Sequence, residues 1–165
     1  MNNIEHSSSN TIRTTTLPTG LRVAIVGGGL SGTLACLQLL REVPGVRISL
    51  HERRPRQLNR GVAYSSRLSR QLLNVHAGRM GLFSDDAEGF LRWARNGPLP
   101  NAAPDDFLSR SLFGDHVHDV FHAELDRYPG QVRIIAGEVV SLYHRPVHGH
   151  RLCLSDGRWS DHDAV

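Results

Sequence analysis

An α/β fold built on a parallel sheet is what this sequence predicts, and three observations predict it. The run 22–26 is continuously apolar after Arg22, as a strand covered on both faces must be. It leads straight into Gly27-Gly28-Gly29-Leu30-Ser31-Gly32, after which leucines recur at helical spacing. A second strand-like run, 46–51, follows that helix and ends against Glu52. Strand, glycine turn, helix and strand in roughly 30 residues form the crossover unit of a parallel sheet.

Residues 1–20 are rich in Ser, Thr and Asn without apolar periodicity, which predicts a disordered tail ahead of one domain over 21–165. After the first strand, Gly27 permits the tight turn, Gly29 lets backbone approach a pyrophosphate, and Gly32 lets the helix pack close to the sheet. The amides at the helix start, through Leu30 and Ser31 and aided by the macrodipole, face that anion. Leu30, Leu34, Leu37 and Leu40 give the helix its stripe, and Pro44-Gly45 ends it. Glu52 stands about 20 residues past the last glycine, where a carboxylate accepts bonds from ribose hydroxyls. The glycines alone would be a weak signal. With the strand, the helix and the spaced acid they predict a Rossmann-like dinucleotide unit. An unrelated glycine turn with Glu52 as a solvated charge leaves that coincidence unexplained.

Residues 53–80 read as a long loop punctuated by Gly61 and Gly78, and a loop that long within a domain is usually functional. A short helix is predicted over 85–96, capped by Asp85 or Asp86, with Phe90, Leu91, Trp93 and Ala94 as its apolar content. Pro98, Pro100 and Pro104 interrupt the chain before a second amphipathic helix over 114–128, with Val117, Val120, Phe121 and Leu125 inward. Three β runs follow at 132–135, 138–143 and 151–154, then an Asp156-Gly157 turn. They predict a small antiparallel meander beside the parallel sheet. The final residues, 163–165, open a further strand that is not completed, so the domain is expected to be truncated.

Composition narrows the function. The net charge is +3 and the arginines are scattered, with few aromatics among them, so no nucleic-acid face is expected. No apolar run nears the roughly 18 residues of a membrane span, and no signal-peptide pattern opens the chain. Cys36 and Cys153 are far apart and read as small core residues of a reduced compartment, which makes a cytoplasmic protein the expectation. His116, His118 and His122 fall on one predicted helix, and the i, i+4 pair His118 and His122 has metal-chelating spacing. No glutamate stands in the H-E-x-x-H register, so a solvated helix face without metal is expected. His144, His148, His150 and His162 are assigned to surface turns. No Ser-His-Asp or Cys-His arrangement can be traced, and no catalytic residue is named.

A second set of residues carries a family resemblance. Gly61-Val62-Ala63-Tyr64-Ser65 is followed by Leu72-Leu73-Asn74-Val75 with Ala77, Arg79 and Met80, then Phe90, Trp93, Phe107, Arg110 and Phe113-Gly114. This string resembles the bacterial FAD/NAD(P)-binding flavoprotein oxidoreductases, distantly similar to N-hydroxylating monooxygenases. The resemblance spans about 21–165 and stops where the family continues, so the chain is expected to be the N-terminal part of a longer enzyme. Gly81 departs from the family's usual serine, and Val117 from a common aromatic.

The resemblance implies FAD at the glycine loop and NAD(P)H as co-substrate of the full-length enzyme. Gly27, Gly28, Gly29, Leu30, Ser31 and Gly32 would hold the pyrophosphate, and Glu52 the adenosine ribose. Arg53 and Arg54 would lie over adenine or in solvent, or else accept a 2′-phosphate, which Glu52 disfavours by like-charge repulsion. Ala63, Tyr64, Asn74 and Val75 would run near the flavin and substrate side. Asn74 is either an amide partner of the cofactor or a turn residue bonding its own backbone. Met80 reads as core, and Arg110 as either an anion partner or a surface arginine. A flavin carries its own redox chemistry, so missing protein nucleophiles do not argue against an enzyme. Three functions remain: the FAD-binding portion of a flavin-dependent oxidoreductase or monooxygenase, a truncated non-catalytic nucleotide-binding module, and an NAD-dependent dehydrogenase.

Overall fold

The computed structural model describes residues 20–66 and 70–165, so the tail expected over 1–20 lies, except for Gly20, outside the described residues. Strands β1 (Arg22–Val26), β2 (Arg47–Glu52) and β3 (Val132–Ala136) form a parallel sheet in the order β1-β2-β3. Val23 lies opposite Ile48, and Leu50 opposite Ile134. Helix α1 (Leu30–Glu42) makes the crossover from β1 to β2. The long connection from β2 to β3 carries α2 (Gly61–Tyr64), α3 (Gly89–Arg95) and α4 (Arg110–Arg127). The last residues return to the free edge of β1, where Ala164 pairs in parallel with Val23 and accepts from the Ala24 N–H at 2.9 Å.

One apolar cluster joins α1 to the sheet through Cys36, Leu37, Leu40, Val23, Ile48 and Leu50, with Phe121 of α4 closing it. Fully burying one such side chain contributes about 1.5–3 kcal/mol. The buried stripe of α1 is Thr33, Cys36, Leu37 and Leu40, whereas Leu30 and Leu34 are half-buried. Leu30 turns instead toward a second cluster, where Phe113 and Val117 of α4 meet Phe90, Leu91, Leu73 and Ala77. Helix α4 therefore ties the glycine loop's helix to the inserted segment.

An antiparallel meander, β4 (Val139–Arg145), β5 (Gly149–Leu154) and β6 (Trp159–His162), runs in the order β4-β5-β6. Successive strand residues alternate faces: Leu50 packs on α1, while His51 meets His162 of β6 edge-on at 6.2 Å. The meander thus backs the face of the parallel sheet opposite α1.

Several expectations are corrected. The run 132–135 belongs to the parallel sheet, and the third meander strand is β6, whose sequence Trp-Ser-Asp-His lacks an apolar signal. The segment 53–80 contains α2 and two short turns, Pro55–Gln57 and Ala77–Arg79. Neither Asp85 nor Asp86 caps α3, which starts at Gly89; the Asp86 carboxylate accepts from Arg92 at 2.6 Å instead. Helix α4 begins four residues before its expected start, because the Ser109 hydroxyl caps it by accepting from the Leu112 N–H.

Candidate functional site

The carboxyl ends of β1 and β2 open onto a crevice, the usual ligand position in open α/β sheets. Gly27 leaves β1 at φ +101°, a conformation that glycine adopts without steric cost, and its N–H donates to the His51 C=O at 2.8 Å. Gly29 is the N-cap of α1, and the first helical bond runs from the Thr33 N–H to the Gly29 C=O at 2.9 Å. The N–H groups of Leu30, Ser31 and Gly32 precede that bond at the helix mouth. A Cβ on Gly32 would stand 1.9 Å from the Gly27 oxygen and 3.2 Å from Ile25. Only hydrogen fits where the helix starts against the loop.

Glu52 ends β2 with 8% of its surface exposed. Its Oε2 accepts from the Gly28 N–H at 2.8 Å, and its Oε1 from the Arg54 N–H at 2.8 Å. The carboxylate therefore fastens the glycine loop to the strand end. Each carboxylate oxygen can accept a second bond, which leaves capacity for a sugar hydroxyl.

Two adjoining clefts share Val26, Gly27, Gly61 and Val62 and so form one groove. The first, about 340 Å³, is lined by Glu52, Arg53, Gln57 and the Gly137–Val139 junction between β3 and β4. The second, about 580 Å³, is lined by Gly29, Leu30, Ser31, Gly32, Ala63 and Tyr64. Helix-mouth donors at one end and a carboxylate at the other match the donor set of a dinucleotide: anion beside amides, sugar beside acid.

Gly27, Gly29, Leu30, Ser31, Gly32, Glu52, Arg53, Ala63 and Tyr64 are thus gathered on the groove. Gly28 lies behind it. Asn74 and Val75 line neither cleft; they are exposed on a segment whose neighbours Leu73 and Ala77 bond to Leu108 and Asp106. Arg53 pairs with Glu138 at 3.1 Å across the first cleft. Arg110 donates to the Leu72 C=O at 3.2 Å, and Met80 packs on the second cluster. Gln57, Asn59 and Glu138 also surround the glycine loop and the first cleft, and no motif marks them in the sequence. Asn59 is fully buried at φ +66° and donates its N–H to the Gly28 C=O at 2.7 Å. The one available signal was the residue type, since asparagine tolerates the left-handed region.

The histidines divide differently from expectation. His116 is buried among Phe90, Trp93 and Phe113, and burial pushes its imidazole down to about 4. His118 and His122 are exposed, with ring centroids 4.3 Å apart. Among the described residues no three His, Cys, Asp or Glu side chains converge as a metal site. His162 is buried in β6 and His150 half-buried in β5, not in surface turns; His144 and His148 are exposed. Burial pushes the Cys36 thiol up to about 12, which leaves it inert as a nucleophile. No helix among the described residues is long and apolar enough to cross a membrane.

A family model described as FAD-NAD(P)-binding matches residues 24–165. No curated protein matches the sequence. Among solved structures, ε-caprolactone-bound cyclohexanone monooxygenase aligns with a TM-score of 0.58 at 17% identity, over 89% of this chain and 26% of its own. The S-allyl-L-cysteine S-oxygenase of Allium sativum aligns with a TM-score of 0.57 at 18% identity, over 92% of this chain and 36% of its own. At such identity the likeness is one of fold. This chain spans about a quarter to a third of the length of those two proteins.

Proposed function

The chain belongs to the FAD-NAD(P)-binding family, and on that premise we propose that it is the FAD-binding portion of a flavin-dependent, NAD(P)H-using oxidoreductase or monooxygenase. The observation that carries the reading is the continuous groove from Glu52 to the mouth of α1. Gly29, Leu30 and Ser31 would hold the diphosphate through backbone N–H groups, and Gly27 and Gly32 shape the turn that presents them. Glu52 would accept from the adenosine ribose. Arg53, engaged by Glu138, would flank the adenine end. Ala63 and Tyr64 would border the isoalloxazine side, with Asn74 and Val75 farther along the substrate side. When bound, FAD would supply the redox chemistry, and the residues named would bind and orient it.

In this reading 21–165 is the nucleotide-binding domain, its partner is a small-molecule dinucleotide, and its compartment is the reducing cytoplasm. The test is direct. The purified chain is titrated with FAD and with NAD, following flavin absorbance and fluorescence, and any co-purified flavin is released and identified. Saturable FAD uptake tighter than NAD uptake is expected. A colourless protein that takes up no FAD overturns the proposal, and tighter NAD than FAD binding makes the chain a dehydrogenase-type module.

A further inference from the structure

A trans peptide is planar, with its C=O and N–H pointing in opposite directions. The orientation of the Gly28–Gly29 peptide therefore decides whether the groove meets a donor or an acceptor. The Gly28 C=O accepts from the Asn59 N–H at 2.7 Å and from the Thr33 hydroxyl at 3.4 Å. The same hydroxyl accepts from Asn59 Nδ2–H at 3.2 Å, and both residues are fully buried. The carbonyl's two acceptor positions are thus occupied on the protein side. Gly27 and Gly29 border the groove, whereas Gly28 between them does not.

We propose that Asn59 and Thr33 are positioning residues that turn the Gly28 carbonyl into the protein and so aim the Gly29 N–H at a bound diphosphate. The proposal rests on the dinucleotide reading of the groove. A flipped peptide would set a carbonyl oxygen against the anion and remove one donor from the helix mouth. Asn59 does this with both its backbone and its side chain. Its φ of +66° brings the N–H onto Gly28 as the chain passes from the Pro55–Gln57 turn to Gly61, itself at φ +57°. Asparagine is among the few residues that adopt this conformation routinely. The neighbouring loop is held equally close: a Cβ on Gly29 would stand 3.3 Å from the Gly61 Cα.

The test compares ADP, which carries the diphosphate, with adenosine, which does not, by ligand-observed NMR titration of the 165-residue chain. Asn59→Ala and Thr33→Val are each expected to weaken ADP about tenfold, the effect of losing one bond to a charged group. Adenosine binding should stay within about twofold. Asn59→Gly keeps the backbone N–H and tolerates φ +66°, so it should retain more ADP affinity than Asn59→Ala; the reverse order overturns the proposal. Unchanged ADP affinity, or equal losses for ADP and adenosine, overturns the positioning role while the site stands. Failure of the unaltered chain to bind ADP overturns both. Should Asn59→Ala not fold, Thr33→Val reads the same ratio with the Asn59 backbone bond intact.

Discussion

Replacing Glu52 with glutamine tests how the glycine loop is held before any nucleotide arrives. The carboxylate is 8% exposed, and each oxygen lies 2.8 Å from a backbone N–H. Glutamine keeps one acceptor and sets an NH2 group where the other oxygen stood. The amide is expected to turn its oxygen to the buried Gly28 N–H and its NH2 toward Arg54, whose N–H lies nearer solvent. One charge-assisted bond, about 1.5–3 kcal/mol, is lost, and the exposed partner can recover part of it from water. The expected loss is therefore about 2 kcal/mol of unfolding free energy. At roughly 2–4 °C per kcal/mol for a domain of this size, the Tm should fall by about 4–8 °C. Thermal and urea unfolding without nucleotide measures it, with an unchanged m-value showing that the folded state is otherwise the same. A freely solvated strand-end charge would cost no more than about 0.5 kcal/mol. A Glu52→Gln protein that unfolds within that margin of the parent refutes the fastening role.

The remaining predictions follow from burial and clearance. Gly32→Ala places a Cβ 1.9 Å from the Gly27 oxygen and should cost at least about 3 kcal/mol or prevent folding. Gly97→Ala, whose Cβ would sit 3.6 Å from its nearest neighbour, should stay within about 0.5 kcal/mol; equal urea midpoints for the two variants would contradict the packing described. His116 is held at about 4 against an ordinary 6.5 by burial, so between those values the unfolded chain binds the extra proton. Its contribution is complete above pH 6.5 and is lost as pH falls toward 4, by about 2 kcal/mol between pH 7 and 5. His51, His122 and His162 are lowered as well, mainly by burial, so the measurement is the difference between parent and His116→Phe urea stabilities across pH. Parallel pH profiles would contradict it. A thiol reagent should modify half-buried Cys153 in the folded protein and reach fully buried Cys36 only on unfolding; labelling of both at one rate in native buffer would contradict that.

What the sequence made legible was local. From Arg22 to Glu52 the turn, the crossover and the acid follow one another along the chain, so their order fixes their arrangement. Whatever depended on a distant partner was hidden. The run 132–135 pairs with β2 across some 80 intervening residues, and an apolar run carries no mark of which strand it will join. His116, His118 and His122 read alike until α3 supplies Phe90 and Trp93 against one of them. Asp85 and Asp86 carried a cap signal, but Asp86 was taken by Arg92, while Ser109 four residues before Phe113 carried the cap that is used. In the site, the glycines and Glu52 were readable from spacing. The bonds of Glu52 and of Asn59 to Gly28 require separate segments to meet, which no spacing rule encodes.

The last segment shows how far the groove depends on unmarked residues. β2 presents Glu52 toward the glycine loop, and its neighbour His51 accepts from the Gly27 N–H through its carbonyl while its ring packs on His162. His162 Nε2 lies 2.8 Å from the Ser160 hydroxyl, and the next residue, Asp163, grips Arg22 at the opposite end of β1 at 2.9 Å. Residues 159–164 therefore brace the strand end that carries the acid and the strand start that leads to the glycines. Because interiors are close-packed, movement of that brace is transmitted to the strands it contacts rather than absorbed. The geometry of a loop at 27–32 is in this way set partly by residues more than 120 positions later, through a polar strand that no motif distinguishes from a turn.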